Sequence, residues 1–228
     1  KRGGSIVMPA FAVGRTQQLV YTLHKMSERG DIPRMNMFVD SPLAVNTTAV
    51  FSLHPECYDE EMRAFILKPG NQNPFGFDDL EYIRTTEESK RLNFMQEPSI
   101  IISASGMAEF GRVVHHIKNR VSDPRNTILI TSFQAPETLG RKLADGERYV
   151  NIFGDKYEVK AQVVRLDGFS GHADSDELVD WVGAMYRRPG KIFLVHGEEE
   201  AALALQQTLT NKFGGQVHVP EHGQKFNL

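Results

Sequence analysis

The chain alternates short apolar runs with longer stretches in which apolar residues recur every third or fourth position. Short apolar runs are typical of buried strands, and the longer spacing is typical of helices with one buried face. For the first two thirds of the chain this pattern predicts strands at 5–8, 35–39, 99–103 and 127–132, and helices at 16–26, 44–53, 55–65, 111–121 and from 139. Alternation of strand and helix predicts a layered α/β fold.

The pattern changes near Asp145-Gly146, and we expect two units that meet between Lys142 and Tyr149. Residues 149–153 and 158–166 alternate apolar and polar positions around Gly154-Asp155, which predicts a β-hairpin with these two arms. The remaining pattern predicts a helix at 175–185, a strand at 191–195, a helix at 198–213 and a strand at 216–219.

Composition narrows the classes of function. The formal net charge of −3 gives no global basic field, so a polyanion would have to be held by local features. Cys57 is the only cysteine, which excludes internal disulfides and multi-cysteine zinc sites and favours a reducing, cytoplasmic setting. No apolar stretch reaches membrane-spanning length, so we expect no membrane partner. Because the chain opens at Lys1 without a methionine, we expect a fragment of a longer protein.

Two histidines follow predicted strands. In "GFSGHAD", the glycines allow a tight turn whose backbone N–H groups could hold an anion beside His172, although a capped helix with a surface histidine also fits. His196 follows the apolar run "IFLV" at the strand end where α/β sheets bind ligands, and it could be a zinc ligand or a polar strand end. The adjacent His115 and His116 are interpreted as a solvated helix face.

Three further turns carry candidate polar contacts. "SASGM" places the hydroxyls of Ser103 and Ser105 beside the flexible Gly106, which suits a phosphate or ribose contact or an ordinary strand-to-helix turn. "VDSPLA" has the same form, with Asp40 or Ser41 before a helix whose first turn contains Pro42. In "AVGRTQQL", Arg15 opens a helix and suits either an ion pair or a phosphate clamp.

The order of these motifs carries more information than any one of them. "PAFAVGRTQQL", "FVDSPLA", "SASGM", "LDGFSGHAD" and "IFLVHGEEEA" together resemble the β-CASP branch of the metallo-β-lactamase superfamily, over residues 4–228. The resemblance implies a layered α/β β-CASP domain followed by the C-terminal part of a metallo-β-lactamase αββα fold. The implied divisions are 1–31 for the end of the first lactamase half, 32–147 for the β-CASP domain and 148–228 for the returning lactamase segment.

The resemblance also assigns roles to single residues. His196 would be the last zinc ligand of the family, and His172 would contact the scissile phosphate as a candidate general acid. Gln18 stands where the family has an acid; an amide can orient His172 but cannot stabilise its protonated form. The candidate substrate contacts are Arg15, Ser41, Ser103, Ser105, Gly106, Ser170 and Gly171.

The implied activity is zinc-dependent hydrolysis of RNA phosphodiester bonds by a hydroxide held between two Zn²⁺ ions. Most zinc ligands would lie in an N-terminal half upstream of this chain, so we expect the fragment by itself to be inactive. Its partners would be RNA and that missing half, and a homodimer stays open.

Two alternatives stand beside this one. The first is a non-catalytic RNA-binding or scaffold protein, which Gln18 favours and the presence of both His172 and His196 disfavours. The second is a small-molecule metallohydrolase, which would not need the segments "VDSPLA" and "SASGM".

Overall fold

The computed structural model describes residues 2–166, 168 and 171–227. The chain divides into two compact units, Lys1–Ser170 and Gly171–Leu228. The first unit is built on a parallel sheet, and the second is a smaller α/β unit.

The sheet of the first unit has six parallel strands in the order β3-β2-β4-β1-β5-β8. Parallel neighbours need crossover connections, and the helices between the strands supply them. The strands of this sheet are β1 (Ile6–Pro9), β2 (Asn36–Asp40), β3 (Leu80–Ile83), β4 (Ser99–Ser103), β5 (Thr127–Ile130) and β8 (Gln162–Arg165). The helices are α1 (Arg15–Glu28), α2 (Pro42–Leu53), α3 (Glu60–Ile66), α4 (Thr86–Leu92), α5 (Arg112–Arg120) and α6 (Leu139–Ala144), with a 3₁₀ turn at Pro55–Cys57.

Side chains alternate between the two faces of the sheet, and each face has its own core. Ile100 and Ile102 of β4 join the cluster that α1 covers with Leu19 and Leu23. Ile101 points to the opposite face, where Phe38, Ile83 and Leu92 pack against it. A third cluster, around α5 and α6, covers that same opposite face at β1 and β5. Burial on both faces explains why the strands read as continuous apolar runs.

One helical prediction needs correction, and one strand and one helix are additional to the predicted elements. The helix expected at 55–65 is two pieces, because Asp59 interrupts it and caps α3 by accepting a hydrogen bond from the backbone N–H of Met62 at 2.8 Å. The elements β3 and α4 were not predicted, since the edge strand lacks a buried apolar run. The capping box formed by Thr85 and Glu88 is the local signal that could have found α4.

The predicted hairpin has a different second arm. β6 (Tyr149–Ile152) pairs antiparallel with β7 (Asp155–Glu158), around a turn in which Phe153 and Gly154 both have positive φ. The stretch that follows, β8, instead pairs parallel with β5. Alternation of apolar residues shows that a strand is half-buried but not which strand it pairs with. Because β8 adds to the first sheet, the first compact unit extends to 170, and the domain boundaries at 31 and 147 stay predictions.

The second unit contains two helices and two parallel strands. These are α7 (Ser175–Gly183), β9 (Lys191–Phe193), α8 (Glu199–Phe213) and β10 (Gln216–His218), as predicted in kind and order. Val179 and Val182 of α7 pack with Leu209 of α8 and Val217 of β10 to form its core. Within the part of the chain that the structure describes, no helix is both long and apolar enough to cross a membrane.

Replacing Ile102 by alanine is expected to lower the free energy of unfolding by about 2–5 kcal/mol, since the side chain is 0% exposed in the central strand. Leu67→Ala removes an aliphatic side chain that is 84% exposed and should change the free energy of unfolding by less than about 0.5 kcal/mol. Urea unfolding followed by circular dichroism measures both. Equal losses in the two variants would contradict this placement of the core.

Candidate functional site

The four interior strands of the large sheet, β2, β4, β1 and β5, end at one edge, and a loop and a helix follow each of them. Asp40 pairs with Ser103 across β2 and β4, and Ser103 pairs with Pro9 across β4 and β1, so the strand ends are level. This carboxyl edge of the sheet is where open α/β folds bind ligands.

Asp40, the last residue of β2, is a buried carboxylate with three side-chain donors. Its Oδ1 accepts a hydrogen bond from Nη1 of Arg112 at 2.7 Å. Its Oδ2 accepts from Oγ of Ser89 and from Nε2 of His116, both at 2.6 Å. The backbone carbonyl of Asp40 accepts from the hydroxyl of Ser103 at 2.7 Å. One residue thus joins the ends of β2 and β4 to the helices α4 and α5.

The environment of this carboxylate determines its charge. Burial by itself raises the pKa of Asp40, but the hydrogen bonds from His116, Ser89 and Arg112 outweigh burial and hold the pKa below its ordinary value. Burial lowers the pKa of His116, and the hydrogen bond to Asp40 opposes this shift only in part. We therefore assign an ionised Asp40 and a neutral His116 that donates from Nε2. Its Nδ1 has no hydrogen-bond partner among the described residues.

The interpretation of His115 and His116 as a solvated helix face is wrong for His116. His115 is exposed, but His116 is fully buried. The apolar positions Val113 and Ile117 of α5 lie three residues before it and one after it, so helical periodicity places His116 on the same inward face. That periodicity was the signal in the sequence.

Ser41 and Ser103 have structural partners at the carboxyl edge. The hydroxyl of Ser41 caps α2 by accepting from the backbone N–H of Ala44 at 3.3 Å. Ser103 is buried and its hydroxyl is committed to Asp40. Neither side chain presents exposed surface to a ligand in this structure, and their role as phosphate contacts stays a prediction.

The loop after β4 contains Ser105 and Gly106. Ser105 is partly exposed, and its Oγ accepts from the backbone N–H groups of Glu109 and Phe110 at 3.2 and 3.5 Å. The carbonyl of Gly106 accepts from Nε2 of Gln134 at 3.0 Å. A Cβ atom at Gly106 would lie 2.9 Å from the ring of Phe11, so this close approach of the loops after β1 and β4 requires glycine.

Arg15 and Gln18 lie on the first turn of α1, which begins after Gly14 at the same edge. Nη1 of Arg15 donates to Oε1 of Gln18 at 2.6 Å, and burial lowers the pKa of Arg15. Gln18 is exposed, whereas its neighbour Gln17 is buried and donates to the hydroxyl of Thr48 at 2.8 Å. Of the two glutamines, Gln18 is therefore the one that a ligand can reach.

Four of the five described helices that follow strands of the large sheet within the first unit share an electrostatic feature that the motifs did not predict; α4, which follows the edge strand β3, does not share it. The four that follow the interior strands, α1, α2, α5 and α6, have no acidic residue in their first turns. The helices α3, α4, α7 and α8 each have two. Acidic residues normally offset the partial positive charge of a helix N-terminus, so the starts of α1, α2 and α5 retain it, whereas at α6 the carboxylate of Glu109 accepts from the backbone N–H of Leu139 at 2.7 Å. The starts of α1, α2 and α5 therefore suit an anionic ligand.

The predicted histidines lie in the second unit. His172 and Gly171 are exposed just before α7, whose first turn contains Asp176 and Glu177. His196 is exposed three residues after β9 ends, with φ of 68°, a left-handed conformation that few non-glycine residues adopt. Ser170 lies outside the described residues.

The donor set for zinc is incomplete within the described ranges. There, no group of three or more His, Cys, Asp or Glu side chains is placed to hold a metal ion. The exposed imidazole of His196 fits the chemistry of a single zinc ligand at the end of a strand.

Two family descriptions match the chain. The Beta-Casp domain matches residues 16–143, and the Zn-dependent metallo-hydrolase RNA specificity domain matches residues 156–220. The first match covers more than half of the chain. The chain belongs to the β-CASP family, and the resemblance seen in its motifs is confirmed.

Curated relatives are longer than this chain. Ribonuclease TTHA0252 of Thermus thermophilus is 36% identical over 98% of the chain, which spans 50% of that relative. Transcription termination factor FttA of Pyrococcus horikoshii is 34% identical over 100% of the chain and 35% of the relative. An RNase J-like protein of Methanocaldococcus jannaschii is 30% identical over 98% of the chain and 50% of the relative. The chain thus spans about a third to a half of these relatives.

Replacing Asp40 by asparagine is expected to lower the free energy of unfolding by about 3–5 kcal/mol, because Arg112 would lose its buried counter-charge. Asp31→Asn is the matched control, since Asp31 forms an exposed ion pair with Arg29 at 2.7 Å. The Asp31→Asn control should lower the free energy of unfolding by less than about 1 kcal/mol. Denaturant titration compares the two, and a similar loss in both would show that the Asp40 network does not stabilise the fold.

Stability should fall as the pH drops below about 6.5, the ordinary pKa of histidine. The pKa of His116 is lowered in the folded chain, so below that pH the unfolded chain binds a proton that the folded chain does not. In His116→Gln this part of the pH dependence is removed, because an amide does not titrate. Thermal unfolding between pH 7.5 and 5 should give a shallower slope for the variant, and identical slopes would contradict the assignment of a neutral His116.

Proposed function

We propose that this chain is the RNA-binding part, and one share of the catalytic part, of a zinc-dependent RNA-processing nuclease that hydrolyses phosphodiester bonds. The observation that carries the proposal is the set of three helix starts at the carboxyl edge, those of α1, α2 and α5, that lack acidic residues, in a chain of the β-CASP family. RNA presents a row of phosphates to such an edge. The name of the Thermus thermophilus relative, a ribonuclease, supports the same substrate class.

The proposed chemistry distributes roles over the chain's own residues. Zinc, when bound, would activate water and offset the charge that develops on the phosphate. His196 would be one nitrogen ligand for it. His172 would donate a proton to the oxygen that leaves phosphorus as the P–O bond breaks. Gln18 is proposed as part of this machinery because of the family position it occupies.

The remaining zinc ligands are proposed to lie outside this chain. The described residues do not bring together three metal-binding side chains, and the chain spans about half of the ribonuclease relative. We therefore propose that the chain by itself binds RNA without cleaving it. The small-molecule alternative has less support, because the second family description is an RNA specificity domain.

A second candidate function is non-catalytic RNA binding. Gln18 favours it, because an uncharged amide occupies the position of the family's acid. One relative is named as a transcription termination factor rather than a ribonuclease.

Cleavage of a labelled single-stranded RNA by the complete protein with added zinc tests the proposal. His196→Ala should reduce kcat/KM roughly 100-fold or more, since a lost ligand weakens metal binding, while RNA affinity stays unchanged. His222→Ala removes another exposed histidine of the same unit and should leave cleavage intact.

Three outcomes decide between the candidates. Binding of RNA by the complete protein without cleavage supports the non-catalytic function. Cleavage by the 228-residue chain alone would overturn the proposal that ligands lie elsewhere. Full cleavage by the His196→Ala variant would remove His196 from the zinc site.

A further inference from the structure

Among the described residues, three phenylalanines are exposed in the loops that follow β1, β4 and β5 at the carboxyl edge. Phe11, Phe110 and Phe133 follow β1, β4 and β5, and their exposed fractions are 43%, 72% and 61%. The three strands are neighbours in the sheet, in the order β4-β1-β5. A group of exposed aromatic rings at one edge is unusual for a soluble surface and is typical of a binding site.

Contacts of the Phe11 ring, of the Gln134 side chain and of the backbone at Ser105 bring the three loops together around Gly106. The ring of Phe11 lies against Gly106, as the 2.9 Å approach of a Cβ atom there shows. The carbonyl of Phe110 accepts from the backbone N–H of Ser105 at 3.2 Å. Nε2 of Gln134 reaches both the carbonyl of Phe133, at 3.1 Å, and that of Gly106, at 3.0 Å. The loop backbones are therefore fixed, while the rings face solvent.

We propose that Phe11, Phe110 and Phe133 form a stacking platform for the bases of single-stranded RNA; this rests on the RNA-binding function proposed above. Aromatic side chains stack on the faces of unpaired bases without regard to sequence. Bases in a duplex have no free faces, so the platform selects single strands over double strands.

The charges around the platform favour a nucleic acid over an apolar protein partner. Arg15 is the first residue of α1, which follows Phe11 and has no acid in its first turn. Of the acids in these loops, Glu109 accepts from the backbone N–H of Leu139 at 2.7 Å and Glu137 is exposed, while Asp40 is buried and ion-paired with Arg112. The ring of Phe11 thus lies close in sequence to a cationic side chain that suits a phosphate.

Fluorescence anisotropy with the 228-residue chain tests the proposal. The probes are a labelled 12-nucleotide oligoadenylate, the same strand in a duplex, and an abasic ribose-phosphate strand of equal length. The oligoadenylate should bind about tenfold more tightly than either of the others, as expected when base stacking contributes.

Variants assign the effect to the rings. Phe110→Ala and Phe133→Ala should each weaken binding of the oligoadenylate about tenfold, and Phe133→Tyr should retain it because the ring remains. Both positions are exposed, so the fold should tolerate the change. Phe94→Ala is the matched control, since Phe94 is 79% exposed beyond the far end of α4. The salt dependence of binding should not change in the alanine variants, because the phosphate contacts are retained.

The outcomes separate this inference from the proposed function. Equal binding of abasic and base-containing strands, with no effect of the alanine variants, would overturn the platform and leave RNA binding intact. No binding of any RNA by the wild-type chain would overturn both. If sedimentation shows that the alanine variants dissociate a dimer while RNA affinity is unchanged, the rings serve self-association and the platform is wrong.

Discussion

The ionised carboxylate of Asp40, buried at the end of β2, is the constraint on which the first unit depends. A buried charge without partners costs several kcal/mol, so Arg112, His116 and Ser89 must stay within hydrogen-bonding distance. These partners come from α4 and α5, and Ser103 of β4 bonds to the same residue through its carbonyl. Satisfying one carboxylate therefore fixes the path of the chain between β4 and α5, which is the loop that carries Ser105 and Gly106.

Neutralising this carboxylate inside the fold also determines the electrostatics of the edge. The chain has a net charge of −3, and its composition gave no sign of an affinity for polyanions. The helices α1, α2 and α5 begin without acidic residues, and Asp40, the last residue of β2, is buried and paired. The proposed affinity for anions therefore rests on the local distribution of charge rather than on its sum.

The two units contribute different chemistry. The first unit supplies the backbone of the carboxyl edge, the cationic side chain of Arg15 and three exposed phenylalanine rings. The second unit supplies two exposed histidines, His172 before α7 and His196 before α8. The first family description lies within the first unit, whereas the second begins in the last strands of the first unit and continues through the second.

The sequence by itself determined the fold class, most helices and strands, and the family, because periodicity and motif order are local properties of the chain. It also singled out Gln18 and Arg15 as candidates, and these neighbour each other on one helix turn, while their roles stay predictions. Only the tertiary structure decided that β8 joins β5 rather than a hairpin, since strand pairing is a long-range choice. The same holds for His116 beside Asp40, 76 positions away in the sequence, and for three phenylalanines brought to one edge. Such long-range contacts depend on how distant strands pair and in which register, and the sequence of a single segment does not determine that pairing.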